Sequence, residues 1–122
     1  MITEDYISFE LAKLLKEKGF LLPSINFRDW LFCMYDENGD IQWGCYSPDW
    51  YARVTHQLAM KWLRKEHNLF IEPYYTVHGF RASVTDTKTG NTIYTQADED
   101  VHYDSPEASC ESIIQYCLKN LI

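Results

Sequence analysis

Oxygen and imidazole donors crowd into seven consecutive positions at Asp98, Glu99, Asp100, Val101, His102, Tyr103 and Asp104. Such a run has the atoms to hold a divalent cation, yet it lacks the fixed glycine and the distal bidentate glutamate of a calcium loop. The plainer reading is a hydrated acidic turn, and no metal is expected. The four histidines, His56, His67, His78 and His102, show neither the paired helical spacing of zinc peptidases nor a partnering cysteine pair. His56 and His67 return to nearly the same helical face but about 16 Å apart, too far to share one ion. Nucleophilic catalysis needs a serine or cysteine beside a base, and no elbow-type glycine pattern surrounds any serine. The five glycines stand singly, so no phosphate-binding loop is present. Glu72 and Asp86 are the carboxylates that strand pairing would have to bring together as acid and base. These residues point away from an enzyme, and no cofactor is expected.

With no reacting centre in view, the elements themselves carry the argument. Ser8 is placed to cap a first helix, Ile7 and Ala12 to staple it, and Leu11, Ala12 and Leu15 to form its buried face. Gly19 in the left-handed conformation ends it, with Phe20 folding back on Leu15. A hairpin runs from about Phe27 to Tyr46 around Asp36, Glu37, Asn38, Gly39 and Asp40. A two-residue turn at Asn38 and Gly39 would mix polar and apolar residues on both faces. A three-residue loop with Gly39 as the bulge instead pairs Tyr35 with Ile41, Cys33 with Trp43 and Leu31 with Cys45, a uniformly apolar face. That register is adopted, with its apolar face expected inward. It leaves Trp30, Phe32, Met34, Gln42, Gly44 and Tyr46 on the reverse face, too apolar for plain solvent.

Ser47, Pro48, Asp49, Trp50 and Tyr51 read as a loop. A second helix begins near Thr55, buries Leu58, Ala59, Trp62 and Leu63, and stops at Asn68, while Lys61, Arg64 and Lys65 decorate its outer side. A strand follows from about Leu69 to Val77, where Pro73 argues for an edge position. A second hairpin turns at Lys88, Thr89 and Gly90, setting Val84 opposite Tyr94. Ser105, Pro106 and Glu107 open a third helix whose stripe is Cys110, Ile113, Ile114, Cys117, Leu118 and Leu121. The expected fold is α+β, an antiparallel sheet of about five strands with three helices on one face, in the order α-β-β-α-β-β-β-α. With 122 residues and no linker-like stretch, residues 1–122 read as a single domain.

The net charge of −7 repels phosphate backbones and anionic membranes and suits a basic partner. Met1 to Asp5 is acidic where a secretory leader is basic, and no apolar run reaches the ~18 residues of a membrane span, so a cytoplasmic protein is expected. Cys110 and Cys117 sit about 10 Å apart along one helix, beyond disulfide reach. Cys33 and Cys45 fall one step off opposite, and all four thiols are read as reduced and buried.

From Thr55 onward the order helix, three strands, helix resembles that of double-stranded-RNA-binding domains. Those domains grip phosphates from a lysine-rich start of the last helix, whereas Ser105, Pro106, Glu107 and Glu111 stand there in this chain. Three segments, SFELAKLLKEKGF at Ser8 to Phe20, QLAMKWLRKEH at Gln57 to His67, and the closing Glu107 to Ile122, resemble a family of small uncharacterised proteins of gut bacteria and their prophages or mobile elements. The resemblance covers about a third of the chain, implies residence in the cytosol and implies no catalysis.

Aromatic residues make up 16% of the chain, too large a share for all to be interior. The expected function is therefore a protein-binding or regulatory module that uses an aromatic surface, with Trp30, Phe32, Met34, Tyr46, Trp50 and Tyr51 as partner-binding residues. Self-association as a homodimer would use the same surface. The alternative is a small-molecule binder or enzyme with a pocket of tyrosines and the carboxylates of residues 98–104.

Overall fold

A computed structural model describes residues 6–20, 33–44 and 46–122. The chain divides into two compact units, Met1–Thr55 and His56–Ile122, each with its own sheet.

In the first unit, α1 spans Phe9–Glu17, and the Ser8 side chain accepts a hydrogen bond from the Leu11 amide. At the far end Gly19 has φ +99°, and the Phe20 and Gly19 amides donate to the Leu15 and Lys16 carbonyls, the expected glycine close. The strands are β1 (Cys33–Tyr35), β2 (Ile41–Trp43) and β3 (Tyr51–Ala52), in the antiparallel order β2-β1-β3. Cys33 pairs with Trp43 and Tyr35 with Ile41, as the glycine-bulged register requires. The carboxylate of Asp36 organises the turn, accepting from the amides of Asn38 and Asp40 and from the Gln42 side chain. These bonds, the one from Gln42 foremost, hold its pKa below the ordinary value. Leu31 and Cys45 lie outside the described residues.

The facing of this hairpin differs from expectation. Cys33, Met34 and Tyr35 are all buried, whereas Ile41 and Trp43, expected inward, are exposed. The cause is β3, in a segment read as loop. A turn in which the Trp50 amide donates to the Ser47 carbonyl delivers Tyr51 to the other side of β1. The Phe9 ring of α1 then packs on Tyr35 and Tyr51, at centroid distances of 5.5 and 5.6 Å. Helix α1 thus covers β1 and β3, making β1 a central strand and leaving β2 as a short edge.

The second unit holds α2 (His56–His67), β4 (Leu69–Thr76), β5 (Gly79–Asp86), β6 (Thr92–Thr95) and α3 (Pro106–Asn120). Its sheet is antiparallel in the order β4-β5-β6, so Pro73 does lie on an edge strand. Asn68 terminates α2 with φ +59°, and Ser105 caps α3 by accepting from the Ala108 amide. Val84 faces Tyr94 as expected. Leu69, Ile71, Ala82 and Val84 from the sheet, Ala59 and Leu63 from α2, and Ile113, Ile114, Cys117 and Leu118 from α3 are buried. Gln96 is 1% exposed and ties the layers together. Its side-chain oxygen accepts from the Ala82 amide at 2.8 Å and from the Ser109 hydroxyl at 3.2 Å, while its nitrogen donates to the Ser109 carbonyl at 3.2 Å. The expectation of about five strands in one sheet is corrected: among the described residues there are six strands in two sheets of three, with three α-helices, in an α+β fold.

Candidate functional site

The exposed Trp43 has a built support. Arg53 follows β3 and extends its ladder, its amide donating to the Cys33 carbonyl at 2.9 Å. From there its guanidinium lies 4.1 Å from the Tyr6 ring centroid and 5.8 Å from those of Tyr35 and Trp43. The Tyr6 ring meets Trp43 edge-on, at 6.3 Å and 89°. Tyr6 is itself held by a bridge to Thr55, and the Ile7 amide donates to the Val54 carbonyl. The Tyr35 hydroxyl donates to the Ile7 carbonyl at 2.6 Å, closing the group from beneath. One planar cation is thus shared by three aromatic rings, each contact contributing about 0.5–2 kcal/mol.

Arg53 Nη1 also donates to Cys33 Sγ at 3.2 Å, while Nε is buried without a partner among the described residues. Burial works against the charge, but the interactions with Cys33 and Tyr35 outweigh it, so the Arg53 pKa stands above its ordinary value. The cation is permanent. The guanidinium so held lies beside both the Cys33 thiol and the Trp43 ring.

Of the residues expected to bind a partner, Trp30 and Phe32 lie outside the described residues. Met34, expected on an outward face, is 2% exposed and offers no surface. Tyr46 is exposed. Trp50 and Tyr51 are half-buried and hold the fold together. Trp50 Nε1 donates to Glu37 at 2.8 Å across the hairpin loop, and Tyr51 packs on Phe9 with Lys16 Nζ 5.0 Å from its ring. Lys16 in turn donates to the Pro48 and Trp50 carbonyls. Sequence reasoning missed Tyr6 and Arg53 and placed Trp43 inside. The signal that would have found them is the third strand, since it alone brings Arg53 under the hairpin.

The acid and base candidates of the second unit are taken up by the fold. Glu72 pairs with Ser83 and Asp86 with Leu69, so the two carboxylates occupy opposite faces of the sheet. In the acidic run, Glu99 accepts from the Tyr94 hydroxyl and Asp100 from Arg81. Burial first, then Glu99, pushes the Tyr94 pKa up to about 12. His56 Nε2 lies 2.9 Å from Glu111, an unforeseen imidazole–carboxylate pair, but its Nδ1 is buried without a partner among the described residues and faces no solvent. Among the described residues no group of three or more metal-ligating side chains gathers, and no helix is long and apolar enough to cross a membrane. Comparison of the chain with family models, with curated proteins and with solved structures finds no match.

Proposed function

We propose that this chain is a protein-binding module that seats a basic partner along the outer edge of β2, with Trp43 as the anchor. The observation that carries this reading is Trp43 itself, 55% exposed yet fixed by Tyr6 and Arg53. An exposed indole with its orientation already set loses little freedom on binding, which favours it as a hot spot. The backbone supports the same use. Because the Asp36 amide donates to the Asp40 carbonyl, hydrogen-bonded pairs recur at every second residue, and the amides and carbonyls of Ile41 and Trp43 are directed away from β1. Among the described residues no strand pairs with that edge. An extended segment can add there as a further strand. Exposed Asp40 adjoins the edge and the net charge is −7, so a cationic segment is preferred.

The test is capture of partners from extract of the native cell, followed by titration of the purified candidate with wild type and Trp43→Ala. The variant should bind about tenfold or more weaker, with unchanged far-UV circular dichroism. Equal affinity, with the fold intact, would refute the assignment. Sedimentation of the protein alone reports whether a second copy occupies the same edge.

A further inference from the structure

The turn joining β4 to β5 contains a residue that folding does not require. Thr76 pairs with Gly79, and the Thr76 hydroxyl accepts from the His78 amide at 3.2 Å and donates to the Gly79 carbonyl at 3.0 Å. Those two residues specify the turn. Position 77, at its tip, holds Val77, which is 89% exposed and gains nothing from burial. Beside it Tyr75 is 70% exposed, its ring 5.1 Å from that of Phe80. Val77, Tyr75 and Phe80 make an apolar tip that the second unit leaves in water.

An acidic segment is fastened next to this tip. Phe80 and Tyr103 exchange both backbone hydrogen bonds at 2.8 Å. Gly79 makes that approach possible, since a Cβ there would stand 2.7 Å from the Tyr103 carbonyl oxygen. The segment so placed carries Asp98, Glu99, Asp100, Asp104 and Glu107, and no Lys or Arg occurs between Lys88 and Lys119. Arg81 meets Asp100, while Asp98, Asp104 and Glu107 are exposed.

We infer that this tip is a second docking surface, for a basic amphipathic segment of a partner protein. An apolar side chain of that segment seats on Tyr75, Val77 and Phe80, and its Lys or Arg residues face Asp104 and the neighbouring carboxylates. The charge decides the occupant. A nucleic acid meets repulsion from the same carboxylates. A second copy brings a net charge of −7 to the same carboxylates.

The experiment uses isotope-labelled full-length protein, followed by amide chemical shifts during titration with a short peptide carrying one leucine flanked by lysines. Shifts should gather at Val77 to Phe80 and at Val101 to Asp104 and shrink at high salt. Val77→Ser and Asp104→Asn, both at exposed positions, should each weaken the interaction by about fivefold or more. Trp43→Ala should leave it unchanged, which separates this surface from the β2 edge. No shifts at these amides, equal binding there of a peptide with glutamates for the lysines, or indifference to Val77→Ser would each overturn the inference. So would tighter, salt-sensitive binding of an RNA duplex at these amides. Shifts there that depend on protein concentration without peptide would assign the tip to a second copy and overturn it too.

Discussion

Replacing Gln96 tests how the second unit is held together. Only the side-chain oxygen of Gln96 can accept from the Ala82 amide, so its nitrogen must face the Ser109 carbonyl. In Gln96→Ala the Ser109 hydroxyl can turn to a carbonyl one helical turn back, but the Ala82 amide stays buried with nothing to bond. That orphan costs roughly 1–3 kcal/mol. The space vacated by the side chain adds about 1 kcal/mol more, so a loss of about 3 kcal/mol is expected. Urea unfolding followed by far-UV circular dichroism reads the loss, and amide hydrogen exchange at Ala82 localises it. Gln96→Glu sharpens the argument. The new carboxylate keeps the two accepted bonds but sets an oxygen against the Ser109 carbonyl, which is tolerated only when the group is protonated. Its folded pKa is therefore raised above the unfolded value of about 4.3. A raised acid leaves the folded state holding more protons, so this variant should match wild type most nearly below that value and lose stability as pH rises through the window. A loss below about 1 kcal/mol for Gln96→Ala, or a pH profile of Gln96→Glu parallel to wild type, would refute the clasp.

The remaining predictions concern backbone strain and thiols. Gly79→Ala should destabilise the second unit by about 2–3 kcal/mol, since φ is +127° there and the added carbon meets a backbone oxygen; a thermal midpoint equal to wild type contradicts this. Burial pushes the Cys110 thiol up to about 11 and the Cys117 thiol up to about 12, so iodoacetamide at mildly alkaline pH should modify neither until the protein unfolds. Because both values stand above the ordinary 9.0, their contribution to stability is present below that pH and lost as pH rises through the folded values. Rapid labelling of either thiol in the folded chain, read by peptide mass spectrometry, would contradict the burial.

What was legible in the residues was local. Ser8 and Ser105 as caps, Gly19 and Asn68 as stops, and the glycine-bulged loop at Gly39 follow from backbone sterics and hydrogen bonds within a few positions, and the structure bears them out, while at Gly90 the loop closes between Asp86 and Asn91, one residue longer than expected. Strand register was accessible where the turn propagates it unbroken, as the pair Cys33 with Trp43 shows, whereas Thr85 pairs with Thr92 and a bulge at Ile93 then shifts the ladder to set Val84 opposite Tyr94. Which face of a hairpin meets water was not. That depends on which neighbour arrives, and a two-residue strand, Tyr51–Ala52, leaves too few residues for any alternation to announce itself. Its pairing moved α1 off β2, put Met34 inside and Trp43 outside, and carried Arg53 beneath rings that lie far from it along the chain. The Gln96 clasp and the Phe80–Tyr103 bridge have the same origin. Partners so separated in sequence leave no periodic trace, and only the packed chain brings them together.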